Sequence, residues 1–374
     1  MTRAAKRRGR DVLELFVLAP DPVSDAASLL ASFRNARVVE PFPRRGGEAG
    51  ARWQRIIRAH ERTLGFLEGR GRASSTPSGA ELVALGRDLF EALFPGDVRR
   101  LFDVARSLQP EGVLDVVFTS MLDWVADKPW GLAWDPSRRE FLATSGVNLV
   151  RNAFTAVPAD TLASRRGRLR LLVVAPRPRG VAPVSAGEET VGLREAFRRL
   201  SRARLASIEV LQRPTAARLQ RRLAAGDIDV LHFVGHGAFD EVTREGSLLL
   251  EDERGRPRRI GFESLRQIVC RRGVRLVFLN ACESGRGGRV EWNRGIAPAL
   301  VAAGVPAVVA NQYPVLDDAA TAFACDFYAA LANGSALADA AREARVGVGR
   351  DLGAATLDWA VPVLFARDPR ETLR

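Results

Sequence analysis

A chain of 374 residues, 47% of them apolar, predicts two domains with a sizeable core and excludes a wholly disordered protein. Its three cysteines, Cys270, Cys282 and Cys325, are odd in number and irregular in spacing, which excludes a disulfide framework and fits a reducing cytoplasm. The net charge of +12 comes from 56 basic and 44 acidic residues, and the only lysines are Lys6 and Lys128. The arginines are scattered along the whole chain, with no zinc-finger spacing, aromatic RNA-binding motif or long basic helix beside them, so a solvated arginine-rich surface is expected rather than a nucleic-acid site.

Residues 1–10 read as a basic tail without fixed structure. Asp11 and Glu14 interrupt the apolar run that follows, so it is no signal core. Val12–Leu18 alternates and predicts a first strand. Arg52–Glu68 carries Trp53, Ile56, Ile57, Leu64, Phe66 and Leu67 at helical spacing, with His60 expected on the exposed polar side. The breaker run Gly69 to Gly79 predicts a loop or linker. Ala80–Phe94 predicts an amphipathic helix with Leu82, Leu85, Leu89, Phe90 and Leu93 on one side. Pro95-Gly96 ends it, and Asp97 is placed to cap a helix reaching about Leu108. Val113–Thr119 predicts a strand, followed by Lys128-Pro129-Trp130-Gly131-Leu132 and a hairpin-like run to Val150. Residues 11–165 form the expected N-terminal α/β domain.

The second expected domain, 166–374, alternates strand and helix. Strands are predicted at Arg168–Val174, Ala206–Leu211, Asp229–Val234, Val274–Leu279 and Ala307–Ala310. Helices are predicted at about Glu188–Arg202, Thr215–Ala225, Phe262–Cys270 and Gly295–Ala303, and from Asp318 and Ala336 onward. Leu248–Leu250 with Glu251–Gly255 reads as a hairpin. The longest apolar stretch, Ile296 to Pro314, is broken by Pro298, Gly304, Pro306 and the polar pair Asn311–Gln312, so it is a buried helix end and a strand, not a membrane span. This alternation predicts an α/β fold: a mostly parallel sheet with helices on both faces and the carboxyl ends of its strands along one edge, where ligands sit.

Two of those strand ends carry reactive residues. His236 lies between Gly235 and Gly237, and Cys282 follows Asn280-Ala281 at a separation of 46 residues. A thiol needs a base to become a thiolate near neutral pH, and a histidine supplies one. A cysteine at a strand-to-loop turn brings its own N–H near a developing oxyanion. Asn-Ala-Cys is a variant of the caspase signature Gln-Ala-Cys with a histidine about 50 residues upstream. His232 makes an H-x-x-x-H pair with His236, but on a strand two such side chains share a face about 13 Å apart, so His232 is expected in the core and no metal is expected. Gly285-Arg286-Gly287-Gly288 lacks the Gly-Lys-Ser/Thr ending of a phosphate loop. Cys270 and Cys325 fall in helices as packing residues.

Three motifs in order carry a resemblance: Leu231-His232-Phe233-Val234-Gly235-His236-Gly237, Leu279-Asn280-Ala281-Cys282-Glu283-Ser284-Gly285, and the run from Gly304 to Val315. They resemble the CHAT-domain peptidases, bacterial caspase-like cysteine proteases of clan CD related to separase. Phe327-Tyr328, Leu331 and Gly334 are similar to the family's C-terminal part, and Lys128-Pro129-Trp130 to its Pro-Trp-Glu motif, with Gly131 where the family commonly has Glu. The resemblance covers about residues 80–366. It implies a caspase-like sheet preceded by an inactive, pseudo-caspase-like regulatory domain, with His236 as catalytic base, Cys282 as nucleophile, and the N–H groups of Gly237 and Cys282 as the oxyanion hole.

The same resemblance implies limited proteolysis of a protein substrate, such as a toxin or gasdermin-like pore former, in bacterial defence or regulated cell death. It implies an activating partner and no cofactor. The alternative is a catalytically idle CHAT interaction scaffold. The substrate's P1 pocket is expected from Pro176–Arg177, Asn280 and the stretch Gln312 to Asp318. Asp317-Asp318 would pair with a basic P1 residue, as the matching stretch of separase-like proteases does. The other reading of this pair is that it caps a helix starting at Ala319, and Arg177 argues instead for an acidic P1 residue. Asn280 and the loop 284–288 are where order is expected to change on activation.

Overall fold

Leu13, Leu15 and Val17 alternate along the first strand and are wholly buried, which sets one face of that strand against a core. In the computed structural model, which describes residues 10–20, 27–42, 47–67, 77–109, 112–156, 167–181, 191–195, 198, 201–202, 204–240, 245–270, 272–282, 292–313, 317–352 and 357–374, this is β1 (Val12–Leu18). It pairs antiparallel with β2 (Ser28–Phe33), which turns through Arg34 at φ 51° into the edge strand β3 (Ala36–Pro41). On its other side β1 pairs parallel with β4 (Leu114–Ser120). A separate two-residue hairpin, β5 (Trp134–Asp135) and β6 (Glu140–Phe141), precedes β7 (Val147–Asn152), which lies parallel beyond β4.

Three helices cover this half. α1 (Gly47–Leu67) buries Trp53 and Ile56. α2 (Gly79–Leu93) starts from a reciprocal capping box: Glu81 N–H donates to Ser78 Oγ, and Ser78 N–H donates to the Glu81 carboxylate. Its predicted stripe of Leu82, Leu85, Leu89, Phe90 and Leu93 is buried. Asp97 is not the cap of α3 (Gly96–Ser107), contrary to expectation. It lies inside the first turn, and its N–H donates at 2.8 Å to Oε1 of Glu40, reaching over from β3. A carboxylate from a neighbouring strand takes the role because the helix starts one residue earlier than Asp97 and the φ of 47° at Gly96 turns the chain toward it. The short α4 (Asp123–Ala126) leads into a 3-10 turn at Trp130–Leu132.

Gly86 is the point where α2 touches this turn. A Cβ there would lie 2.4 Å from the Leu132 carbonyl oxygen and 2.8 Å from Trp134 Cβ. Gly86→Ala is therefore expected to lower stability by about 1–3 kcal/mol through overpacking against backbone, although alanine favours helix. Urea denaturation of the two proteins checks this.

The second half supplies β8 (Leu169–Val174), β9 (Ala206–Leu211), α5 (Ala216–Ala224, capped by Thr215), β10 (Val230–Asp240), β11 (Glu245–Glu251), β12 (Pro257–Gly261), α6 (Phe262–Val269), β13 (Leu276–Cys282), α7 (Trp292–Ala302), β14 (Ala307–Asn311), α8 (Asp317–Ala332), α9 (Leu337–Leu352) and β15 (Pro362–Ala366). The predicted helix at 188–202 is helical at 191–195, 198 and 201–202, and its other residues lie outside the described set. So do the basic run 1–9, most of the breaker run 69–79 and the Gly-rich loop 284–288.

One thirteen-stranded sheet runs through both halves in the order β12-β11-β10-β13-β14-β15-β7-β4-β1-β2-β3, with β8 on β10 and β9 on β8. β9, β8, β10, β13 and β14 are parallel, and β15 is antiparallel to β14 and joins β7 through the pair Phe365↔Arg151. One apolar layer of the second half packs under α8 and α9 and continues into the first half, through Leu171, Val230, Val234, Phe278, Val309, Phe323 and Phe327. The opposite layer packs α5, α6 and α7 on Leu172, Leu231, Phe233, Leu279 and Val308. The expected α/β class, a mostly parallel sheet with helices on both faces, is the observed one.

Two strands run further than their sequences predict. β10 does not stop at Val234 but continues through Gly235-His236-Gly237 to Asp240, and β13 continues to Cys282. The reason is a change of partner. β8 accompanies β10 only as far as Phe233, and from Gly237 onward β11 folds back antiparallel on the same edge. The backbone groups beyond the glycines thus still find a ladder.

Candidate active site

The change of partner places His236 in a gap. On one edge of β10, β8 ends opposite Phe233 and β11 begins opposite Gly237. The chain leaving β8 passes close by: a Cβ at Gly235 would lie 3.4 Å from Pro176 Cδ and 2.9 Å from the Phe233 ring. Glycine at 235 is what allows this approach. Just beyond, the Arg177 N–H donates at 2.9 Å to Glu251 Oε1 at the end of β11.

On the other edge of β10 the parallel ladder with β13 runs from Val230↔Leu276 to His236↔Cys282 and, among the described residues, ends there. Residues paired in register on neighbouring parallel strands share a face, and their Cα atoms stand about one strand spacing apart, ~4.8 Å. The His236 side chain is buried, at 4% exposure. Positions 232, 234 and 236 of β10 and 276, 278 and 280 of β13 all fall on the face toward α8, by the two-residue alternation of strands. Gly237 is the next residue of β10 and pairs with Leu248 of β11.

His232 lies in the core as expected. It is fully buried, its Nδ1 is 2.6 Å from Tyr328 Oη on α8, and its ring stacks on Phe278 at 4.7 Å. Among the described residues no group of three or more His, Cys, Asp or Glu is placed to hold a metal. Cys270 and Cys325 are partly buried against the two apolar layers.

Asn280, two positions before Cys282, is buried and accepts a 2.7 Å hydrogen bond from Asn311 Nδ2 at the end of β14. After Asn311 the chain is gripped from several sides. The Gln312 N–H donates to the Val361 carbonyl at 2.9 Å. Its side chain accepts from Arg151 Nη2 at 2.8 Å and donates to the Asp127 carbonyl. Arg151 also donates to the carbonyls of Ala126 and Lys128, each at 2.7 Å. Burial lowers the pKa of its guanidinium to about 10, against the opposing pull of Tyr313 and Asp127. Tyr313 Oη lies 2.8 Å from His60 Nδ1.

His60 is thus not on an exposed polar face, as its sequence neighbourhood predicts, but 3% exposed against the segment after β14. It stands seven residues after Trp53 and four after Ile56, on the buried stripe of α1, and a hydroxyl from the other half meets its Nδ1. Asp317 is the first residue of α8 and Asp318 the second, so the helix starts ahead of Ala319; Asp318 is exposed. Residues 314–316 and 283–291 lie outside the described residues. Tyr313 falls in the stretch Gln312 to Asp318 expected at the P1 pocket; Asn311 and Arg151 carry no such expectation, although the polar pair Asn311–Gln312 inside an apolar run marks the place.

No helix among the described residues is long and apolar enough to cross a membrane. A comparison with curated proteins gave no match. Solved structures similar to the chain include the Arg-specific cysteine proteinase gingipain R (RgpB) of Porphyromonas gingivalis, at 11% identity and a TM-score of 0.49 over 77% of this chain and 71% of that one. Another is the Saccharomyces cerevisiae separase–securin complex, at 11% identity and a TM-score of 0.45 over 95% of this chain and 30% of that one. The family model of the CHAT domain matches residues 83–367, a span that holds His236, Cys282, the partner change on β10 and the buried Trp130 turn, and the chain belongs to the CHAT domain family.

Proposed function

We propose that this chain is a cysteine endopeptidase that cuts a partner protein through a dyad of His236 and Cys282. The observation that supports the reading most is the register pair His236↔Cys282, at the end of the β10–β13 ladder and beside the gap where β8 gives way to β11. An extended peptide laid across this edge brings its carbonyl carbon to the thiolate. His236 takes the thiol proton, the S–C bond forms, and the oxyanion is held by the N–H groups of Gly237 and Cys282. His236 then gives its proton to the leaving amine as the C–N bond breaks. Water, deprotonated by the same imidazole, cleaves the thioester and restores the thiol. Such a cycle needs no cofactor.

Asn280 and the Asp317–Asp318 pair are assigned to the P1 pocket. The exposed Asp318 is the second residue of α8, seven positions after Asn311, which itself holds Asn280. A carboxylate there selects Arg or Lys at P1 by a charge-assisted hydrogen bond.

The test is a peptide-library cleavage profile together with a thiol-reactive peptide probe. Wild type is expected to cut after basic residues and to take one probe molecule at Cys282. Cys282→Ala is expected to lose both cleavage and labelling, and Asp318→Ala to lose most of the preference for basic over neutral P1, on the order of 10-fold or more. Equal labelling of wild type and Cys282→Ala identifies an idle scaffold instead. Cuts after acidic or apolar residues sink the assignment of Asp318.

A further inference from the structure

The segment after β14 is fastened to the N-terminal half by side chains that the dyad chemistry does not use. His60 of α1 meets Tyr313 Oη at 2.8 Å, and Arg151 of β7 donates to Gln312 Oε1 at 2.8 Å. Gln312 in turn donates to the Asp127 carbonyl in the turn before Trp130. His60, Arg151 and Tyr313 are buried, and the partners are 161 to 253 residues apart in sequence. The residue just before them, Asn311, holds Asn280 at 2.7 Å, and Asn280 lies two positions before Cys282 on the same strand.

The contacts therefore fasten three consecutive residues: Tyr313 to His60, Gln312 to Arg151, and Asn311 to Asn280. We propose that His60, Arg151, Gln312 and Tyr313 are positioning residues, through which the N-terminal half sets the Asn280–Asn311 wall of the substrate pocket and so the affinity for the substrate's P1 residue.

This inference rests on the proposed peptidase reading for its kinetic consequence, not for the clamp itself. Both ends of the clamp are short polar contacts in a buried place, where a lost partner is felt in full. Nothing in the chain of contacts touches the scissile bond, so the consequence falls on binding rather than on chemistry. A partner protein that shifts α1 or the 126–128 turn would act on the same wall, which gives the N-terminal half a way to tune cleavage.

The experiment compares Tyr313→Phe, Gln312→Ala, His60→Ala and His60→Asn with wild type, all as the full chain. Asn keeps a polar atom near the place of Nδ1, so it serves as the conservative rescue. For the best library peptide, Tyr313→Phe, Gln312→Ala and His60→Ala are each expected to raise KM about 3- to 10-fold with kcat within about two-fold, and His60→Asn to return KM toward wild type. The rate at which a small alkylating agent modifies Cys282, read by peptide mass, is expected to stay at the wild-type value. Amide hydrogen exchange is expected to quicken at 311–313 and 278–282 and to stay unchanged at β9 and α5.

Unchanged KM in Gln312→Ala and His60→Ala overturns the proposal, as does a fall in kcat that follows the alkylation rate. If wild type cuts no peptide, the peptidase reading fails instead. The clamp is then decided by hydrogen exchange alone: quickening confined to the two named segments upholds it, and no change there overturns it.

Discussion

His236→Ala is expected to lower kcat/KM for peptide cleavage by about 10⁴-fold or more, while His232→Phe, four residues earlier on the same strand face, leaves the chemical step largely intact. The two histidines are close in sequence and both buried, yet their surroundings differ in kind. His232 is used up by the core: Tyr328 Oη holds its Nδ1 and Phe278 covers its ring. Removing its imidazole strands a buried phenol and costs about 1–3 kcal/mol of stability. His236 stands at the last rung shared by β10 and β13, opposite Cys282 and beside the partner change. In the proposed dyad, removing its imidazole takes away both the base that makes the thiolate and the acid that releases the amine. Acylation and deacylation fall together for that reason, and no single added nucleophile restores the rate. The measurement is steady-state cleavage of the best library peptide, with urea denaturation to separate folding from chemistry. A His236→Ala protein that cleaves within ten-fold of wild type sinks the dyad, and so does a His232→Phe protein that folds normally and shows the same loss as His236→Ala.

Arg275→Ala is expected to destabilise the fold by about 3–5 kcal/mol without changing the site's geometry. Arg275 lies just before β13, at the opposite end of the sheet from Cys282, and is 1% exposed. Its guanidinium donates to the Leu373 carbonyl at 2.7 Å, to the Thr372 carbonyl at 2.6 Å and to the Glu371 carboxylate at 3.1 Å. These bonds hold the 371–374 segment against the sheet. Truncation to alanine leaves two carbonyls and one largely buried carboxylate facing the space the fork filled. Arg275→Lys recovers part of the loss, because a point charge satisfies fewer of these acceptors than a planar fork.

The loss has a definite pH dependence. Burial raises the Glu371 carboxyl above its ordinary 4.5, and Arg275 opposes that rise. Without Arg275 the carboxyl goes higher still. A group whose pKa is raised in the folded state favours folding when protonated, and that contribution is lost as pH rises through the folded pKa. The deficit of Arg275→Ala is therefore expected to be largest near neutrality and to shrink as pH falls toward 4.5. Urea denaturation at several pH values reads this directly, and a deficit that grows on acidification contradicts it.

Much of the frame is legible in the residues. The alternation of Val12–Leu18, the apolar stripe of Ala80–Phe94 and the apolar strand cores at 169–174, 230–234, 276–279 and 307–310 are local patterns, set by the two periods at which side chains meet a core. What failed was local in a different way. Polarity alone places His60 on the exposed side, whereas its spacing from Trp53 and Ile56 puts it on the buried stripe. Asp97 was read as a cap because it follows Pro-Gly, whereas the capping carboxylate belongs to Glu40, 57 residues away. Gly235 and Gly237 carry the local signal for the end of a strand. They are crossed by it instead, since whether a glycine ends a strand depends on what lies alongside, and only the return of β11 supplies that partner. The short strand β15 was missed because its burial comes from both neighbours, β14 and β7, rather than from any pattern of its own.

The amino-acid order by itself determined the α/β class, the alternation of strand and helix in the second half, and the apolar cores of the two strands that carry His236 and Cys282. The class and the alternation depend on side-chain type and period, which are properties of short stretches, whereas the continuation of β10 past His236 to Asp240 does not. Only the tertiary structure decided that those two positions share one rung, that a single sheet runs on into the first half, and that His60 and Arg151 reach the residues after Asn311. Register and long-range contact are set by which surfaces can be buried together, and no local stretch carries that information.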